Sequence, residues 1–540
     1  MSEPIVRTEP LGGSPLARAG IEGRLGDWYV ARPTSVAGWT ARAEAVRAGT
    51  SDRDWLGALA PAFAATGAAA ARLERVAKGR GVVVTTGQQP GLFGGPIYTW
   101  SKALSALALA DEIEAATGTP AAPVFWAAND DADFAEAAWT AIAVPGGAER
   151  LSVAPGAALG RPMAEMPLTD PAAALAALER ACGTTVDERP LRAARTAYRL
   201  GATIGGAYLE LLRELFEPLG IAVLDAAHAS VTSAARPFLV RALDRSGDVA
   251  QALRDRDAAI VSAGYQVQVT EVEGLSLVFE RPAGTPDKRR VPLTEAAAVA
   301  ASVGDGAGGA TVLSPNVLLR PVIERALFPT VAYVAGPGEF AYFAQVSAVA
   351  TALSLAPPLA VPRWSTTIIE PHVARILARL GIDEQELADP HRAEGRLATE
   401  SIPPELSRAF AELRTELDAR SEALRDATEG SGLPLPPEVV AGAQRSMQHR
   451  LGRLHRRIVA AAKRRSDETM TQIGTARGSL FPLGSRQERA LNLLPFLARH
   501  GRVITDCMLE GARDHARDLV GVRTAESATA SSSAAALGRG

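Results

Sequence analysis

The sequence predicts an α/β protein: a mostly parallel, doubly wound sheet with an antiparallel helical hairpin toward its C-terminal end. Three observations carry that expectation. Apolar β-branched runs alternate with Ala/Leu-rich helical stretches through the first half of the 540 residues, the signature of strands joined by helical crossovers. Glycine- and proline-bearing turns sit between such runs and the helices that follow them. Beyond Asp389 the pattern changes to apolar residues at three- and four-residue steps with charges between, which is the spacing of paired helices.

In chain order, Gly81 to Thr86 reads as a strand, Tyr98 to Ala116 as a helix, Pro123 to Ala128 as a strand, Tyr208 to Leu219 as a helix and Ile221 to Asp225 as a strand. A further strand, turn and helix follow over Thr330 to Leu353. The charge-free stretch between Glu339 and Arg363 is long enough to span a bilayer, but Gln345, Ser347, Ser354 and Pro357-Pro358 interrupt it, so it reads as a buried helix followed by a buried strand. Leu406, Phe410, Leu413, Leu417 and Leu424 form one helical stripe, and Met447, Leu451, Leu454 and Ile458 form another. Between them, Glu429 to Pro437 is a turn that no helix could cross. The expected organisation is an α/β core over 1–388, the hairpin over 389–480, a helical segment returning to the core over 481–522, and a low-complexity, disordered tail over 523–540. The hairpin's second arm carries Arg445, Arg450, Arg453, Arg456, Arg457, Lys463, Arg464 and Arg465; these read either as a solvated face or as an anion or nucleotide contact.

Composition narrows the function. With 47% hydrophobic residues, 22% charged residues and a formal net charge of −3, the chain has no overall field for nucleic acid or an anionic membrane. Its two cysteines, Cys182 and Cys507, stand far apart, so neither a disulfide framework nor a structural zinc site is expected. The first residues hold acids and prolines where a signal peptide needs an apolar stretch, and a cytoplasmic location is expected.

The chemistry-bearing segments lie at strand ends. TTGQQPGLFGGPIYTWSK, from Thr85 to Lys102, places Gly87, Gly91, Gly94 and Gly95 between a strand and a helix that Pro96 can open. Such a loop either offers free amides to an anion at the helix's positive end, with Lys102 reaching back as counter-charge, or turns a tight corner. It matches neither a P-loop nor a dinucleotide fingerprint. Asp130, Asp131 and Asp133 follow the next strand directly. They could hold Mg²⁺, bind an ammonium or serve as a base, or instead cap the following helix. GPGE at Gly336 to Glu339 repeats the strand-turn-helix arrangement, while Asn316, Arg320 and Arg363 offer groups for carboxylates. The histidines form no HExxH spacing, and no GxSxG elbow occurs.

Taken together, TTGQQPGLFGGPIYTWSKALSAL, PVFWAANDDADFAE, LLRELFEPLGIAVLD, LSPNVLLRPVIERALFPTVAYVAGPGEFAYFAQ, VPRWSTTIIEP and RGSLFPLGSRQERALNLLPFLARHG make the chain resemble the cysteine-adding enzymes of bacillithiol biosynthesis, the BshC family. The matches run from about Val82 to Gly501 in the expected order. The resemblance implies a Rossmann-like core, a coiled-coil segment, a homodimer, and a ligase that joins the carboxyl of L-cysteine to the amine of glucosaminyl-malate. Because a free carboxylate is a poor electrophile, it also implies activation, with ATP and Mg as the expected source. Fitted to that task, Asp131, Asp133 and Lys102 are the catalytic candidates. Gln88, Gln89, Gly94, Gly95, Tyr98, Asn316, Arg320, Gly336, Gly338, Glu339 and Arg363 are the substrate-binding candidates, with Arg320 or Arg363 on the malate carboxylates. One departure stands out. The family's acidic motif reads EDHDF, whereas Asp130-Asp131-Ala132-Asp133-Phe134 has alanine in place of histidine, and its later Asn and His appear as Ala138 and Trp139. Alanine neither transfers a proton nor ligates a metal. The alternative expectation is therefore a catalytically decayed or substrate-shifted relative that binds a nucleotide or acts as a scaffold.

Overall fold

The computed structural model describes residues 3–50, 54–156, 160–282, 285, 288–304, 311–465 and 467–522; the tail expected to be disordered, 523–540, lies outside them. The chain divides into two compact units: Met1–Ile142, Arg150–Ile368 and Glu488–Gly540 form the first, and Ala143–Glu149 with Ile369–Gln487 the second.

The first unit is built on strands β1 (Val82–Gln88), β2 (Ala121–Ala127), β3 (Ala222–Asp225), β7 (Thr330–Ala335) and β8 (Ala360–Pro362), arranged β8-β7-β1-β2-β3 and parallel throughout. Their sequences are near-continuous buried runs because helices cover both faces of such a sheet. The first crossover, helix α1 (Ile97–Thr117), packs on β1 and β2 on one side and on the late helix α6 (Arg502–Val520) on the other. Buried all round from Thr99 to Ala110, it shows no polar stripe there. On the sheet's other face, the rings of Trp55, Phe63 and Trp126 pack around Phe328 at centroid distances of 5.8, 5.9 and 6.2 Å.

β1 runs further than its apolar stretch, through Gly87 and Gln88, which stay in register with Trp126 and Ala127 of β2. Glycine is needed there, because a Cβ on Gly87 would lie 2.8 Å from the Trp126 carbonyl oxygen. The pairing therefore carries Gln88 to the very carboxyl edge of the sheet.

Topology then sets the location of the crevice. From β1 the chain moves outward to β2 and β3, and it returns on the opposite side of β1 as β7 and then β8. The segments leaving β1 and β7 diverge, and this switch point is where open α/β sheets bind ligands. Between β3 and β7 lies a small antiparallel sheet that the sequence reading did not anticipate: β4 (Leu275–Arg281) flanked by β5 (Arg289–Pro292) and β6 (Val312–Pro315). Helix α2 (Arg320–Leu327) follows it and leads into β7, and helix α3 (Pro337–Ala352) leaves β7 through the GPGE turn.

The second unit contains the hairpin of α4 (Pro404–Gly430) and α5 (Pro437–Arg465). The arms are antiparallel: Phe410 meets His455 at 5.1 Å, and Asp418 accepts hydrogen bonds from Gln444 and Gln448. The main segment of this unit begins at Ile369 rather than near Asp389, because Ile369, Val373 and Leu377 share an apolar cluster with Ile473, Ala476 and Leu480. Leu406, Leu413, Leu424, Met447 and Leu454 are 41% to 59% exposed. Among the described residues, no helix is long and apolar enough to cross a membrane.

Candidate active site

At the switch point of the first unit lies a cavity of about 650 Å³. The end of β1 contributes Gln88 and Gln89, α1 contributes Tyr98 and Lys102, and the turn into α3 contributes Gly336, Gly338 and Glu339. Asp131 comes from the segment after β2, Asn316 and Arg320 from the approach to α2, and Arg363 from beyond β8. Eleven of the fourteen residues singled out from sequence thus line one crevice; Asp133, Gly94 and Gly95 do not.

Lys102 is 3% exposed. Its Nζ lies 2.5 Å from Glu339 Oε2 and donates to the Gly87 carbonyl at 2.8 Å and to Gln88 Oε1 at 3.0 Å. Glu339 in turn accepts from the Tyr333 hydroxyl at 2.7 Å and the Gly336 N–H at 2.8 Å. Burial pushes the Lys102 ammonium down while Glu339 opposes the shift. Burial would raise the Glu339 carboxyl, but Lys102 and the Gly336 N–H hold it below its usual range. Rather than a free counter-charge, Lys102 is the clamp that ties the diverging ends of β1 and β7 together.

Arg363 is also committed. It is 2% exposed and meets Glu488 with two parallel hydrogen bonds of 2.8 Å, a bidentate pair that occupies the fork expected to hold a malate carboxylate. The Arg320 guanidinium, by contrast, makes no ion pair with the described residues, and its Nε lacks a hydrogen-bond partner. Three further cations on the crevice wall make no contact ion pair with the described residues, though Asp130, Glu271 and Glu136 act on them from farther off. Lys288 donates to the Asp130 carbonyl at 3.1 Å and stands 4.7 Å over the Phe279 ring. Arg290 donates to the Ser276 carbonyl at 3.0 and 2.7 Å. Arg489 lies 6.0 Å from the Tyr98 ring centre. Asn316 lines the crevice, but its Oδ1 caps the approach to α2, accepting from the N–H groups of Leu318 and Leu319 at 3.1 and 3.0 Å.

The acidic wall is organised around Glu136. Its Oε1 accepts from Gln88 Nε2 at 3.2 Å, and burial followed by the charges of Asp133 and Asp131 raises its pKa. Asp131 accepts from Gln89 Nε2 through Oδ2 and from the Asp133 N–H through Oδ1 at 3.0 Å. Asp130 is pushed up by burial, against the pull of Lys288. Asp133 is exposed and caps the short helix Phe134–Ala137, accepting from the Glu136 N–H at 3.1 Å, the capping role among its sequence readings.

The glycine loop likewise resolves to a tight corner. Gly94 and Gly95 have φ of +86° and +74°, and their N–H groups are taken by the Gly91 and Leu92 carbonyls at 3.0 and 3.1 Å. Asn492 Nδ2 donates to the carbonyls of Phe93 and Gly95 at 2.9 and 3.1 Å, and Leu211 lies 3.4 Å from where a Gly94 Cβ would sit. Neither amide is open to a phosphate, so the expected anion cradle does not form there, and the free cations of the opposite wall are the groups suited to anionic substrates. Among the described residues, no group of three or more His, Cys, Asp or Glu side chains is placed to hold a metal ion.

Glu136, Lys288, Arg290, Tyr342 and Arg489 line the crevice without having been singled out from sequence. Glu136 was within reach, three residues after Asp133 in the same acidic segment. Nothing local ties the basic run at 288–290 to the end of β1.

A doubly wound parallel sheet, with a crevice of opposed charged walls at its switch point and an appended helical unit, defines a Rossmann-like α/β protein equipped for small charged ligands. Comparison with known families agrees in both parts. Residues 22–279 and 308–364 match the N-terminal Rossmann-like domain of bacillithiol biosynthesis BshC, and residues 366–516 match its C-terminal coiled-coil domain. The chain belongs to the BshC family of bacillithiol biosynthesis. Relatives named "Putative cysteine ligase BshC" include that of Koribacter versatilis, 32% identical over 468 residues that cover 82% of this chain and 84% of the relative. That of Solibacter usitatus is 32% identical over 470 residues, covering 79% and 82%. That of Salinibacter ruber is 30% identical over 470 residues, covering 82% and 83%.

Proposed function

We propose that the chain is a cysteine ligase of bacillithiol biosynthesis, joining the carboxyl of L-cysteine to the amine of glucosaminyl-malate. The observation that carries this reading is the division of the switch-point crevice into a cationic and an acidic wall. Forming the amide from an amine and a carboxyl needs both. The two malate carboxylates require cations that are not locked in contact ion pairs, and Arg320, Lys288 and Arg290 meet that condition, although Glu339, Glu324, Asp130 and Glu271 lie near enough to act on them. The attacking amine must lose a proton as the C–N bond forms, and Glu136, whose basicity is raised by its surroundings, is the acceptor. Gln88 bridges the two functions, donating to Glu136 while accepting from Lys102, so the buried Lys102–Glu339 pair holds the base in place indirectly. The cysteine carboxyl is activated before attack, with ATP as the energy source, and its activating group leaves as the amide forms. The exposed leucines of α4 and α5 support a homodimer formed through the hairpin.

A second reading, a relative with altered or lost chemistry, draws on Ala132, which lines the crevice where the family pattern has histidine. One experiment separates the two. The purified chain is incubated with glucosaminyl-malate, L-cysteine and ATP, and the cysteinyl product is sought by mass spectrometry, with ATP omitted in parallel. Product that depends on all three supports the ligase; its absence supports the altered relative.

A further inference from the structure

A second cavity of about 390 Å³ adjoins the first, and Asp130, Lys288 and Pro315 line both. It lies over the carboxyl ends of β2 and β3, where Trp126 and Asp225 reach it, and is closed on one side by the helix Ala229–Asp244 that follows β3. Neither the proposed proton transfer nor the malate contacts use it.

Its polar groups are poised for a ligand. Trp126 is 4% exposed, lines the cavity, and its Nε1–H has no acceptor; a buried indole N–H left unpaired is costly. Asp225 is held by the Ala227 N–H at 3.0 Å and Asn129 Nδ2 at 3.3 Å, and both bonds fall on Oδ1. Its Oδ2 is left without a hydrogen bond to any described residue. The His228 Nδ1 accepts from the Ser230 N–H at 3.1 Å, which places the ring proton on Nε2 as a further donor. Val231, Leu239 and Ile323 make an apolar patch on the wall, beside Thr232, Ser314 and the Arg281–Glu165 ion pair, whose charges offset each other. A free carboxylate oxygen, unpaired donors and an apolar patch together match a small zwitterionic amino acid with a compact, uncharged side chain.

We propose that this cavity is the subsite for the amino-acid substrate. The ammonium group meets Asp225, the side chain lies on Val231 and Ile323, and the carboxyl points toward Lys288, at the border with the crevice that holds the amine. The proposal rests on the ligase reading for the identity of the ligand, L-cysteine, and the shared border at Lys288 supplies the route by which the two reactants meet.

The test is calorimetric titration of the full chain with L-cysteine and, separately, with glucosaminyl-malate. Asp225→Asn removes the charge but keeps the Oδ1 acceptor, and Trp126→Phe removes the indole donor at the cost of some packing against Phe328. Each is expected to weaken L-cysteine binding at least about tenfold and leave glucosaminyl-malate binding unchanged, while Arg320→Lys does the reverse. Thermal melting checks that each variant folds, and either variant alone suffices. The proposal is overturned if the unaltered chain does not bind L-cysteine, or if a folded variant binds it as tightly as the unaltered chain. Failure of the ligase reading looks different: no cysteinyl product forms, yet L-cysteine binding remains sensitive to Asp225.

Discussion

Glu324 makes the energetic cost of the crevice measurable. It lies on α2 one turn beyond Arg320, is 1% exposed, and neither carboxylate oxygen has a hydrogen-bond partner. Burial pushes its pKa from 4.5 up to about 7, a rise opposed by the nearby Thr85 hydroxyl and by the charge of the Arg320 guanidinium. A carboxyl more basic in the folded chain than in the unfolded one binds its proton preferentially in the native state. Its contribution to stability is therefore full below pH 4.5, falls as the unfolded chain ionises between 4.5 and about 7, and levels off above that. At about 1.4 kcal/mol per pKa unit, the whole loss is about 3 kcal/mol. Glu324→Gln has no charge to bury, so its stability should lack this component. Urea unfolding followed by tryptophan fluorescence is the appropriate assay, because all seven tryptophans belong to the α/β unit. Between pH 5 and pH 8 the variant should gain about 2–3 kcal/mol relative to the parent. An offset between the two proteins that stays constant with pH would show that Glu324 is ionised and solvated throughout, and the unpartnered-carboxyl argument would fall.

Other consequences are testable in the same preparations. Glu136→Gln should lower the turnover of cysteinyl product by about 10²–10⁴-fold with little change in glucosaminyl-malate affinity; undiminished turnover would exclude Glu136 as proton acceptor. Lys102→Met strands the Glu339 carboxylate in the interior and should cost about 3–5 kcal/mol in denaturant unfolding, most of which Lys102→Met/Glu339→Gln should restore. Leu413→Asp touches a side chain already 50% exposed, so the melting temperature of the α/β unit should hold while sedimentation velocity shows a loss of dimer.

Sequence alone revealed the frame and much of the crevice, for specific physical reasons. β1, β2 and β7 are buried on both faces, so their apolar runs are nearly continuous, and α1 is largely apolar through its first four turns. Strand order was not legible, and the decisive contacts depend on it. The Lys102–Glu339 pair exists because β7 returns beside β1, and the Arg363–Glu488 pair joins residues far apart in the chain. The glycine loop was ambiguous for a different reason. Phosphate cradles and tight corners both need positive φ, and what separates them is whether the amides find partners. Here the Gly91 and Leu92 carbonyls take the amides of Gly94 and Gly95, and Asn492, some four hundred residues downstream, fixes the loop by donating to its carbonyls. The antiparallel sheet escaped notice because β5 and β6 are only four residues each, too short for a period-two signal, and Lys288 and Arg290 escaped with it.

The alanine at position 132 bears on whether the acidic wall works by itself. Ala132 and Glu136 line the same crevice, and Glu136 is more basic than an ordinary carboxylate because it is buried beside Asp133 and Asp131. A base of that kind does for an attacking amine what a histidine would, so the substitution at 132 leaves the crevice with a proton acceptor. If the two positions are interchangeable, Ala132→His should do little in the parent chain, yet it should return activity to Glu136→Gln by about tenfold or more. The pH profile of the rescued variant should rise through the histidine range near about 6.5 rather than through the carboxylate range. Rescue with that shift would establish that the site needs a base and tolerates either source. A double variant no more active than Glu136→Gln alone would mean that position 132 does not reach the reacting amine, and that the family's histidine serves a task this chain performs elsewhere.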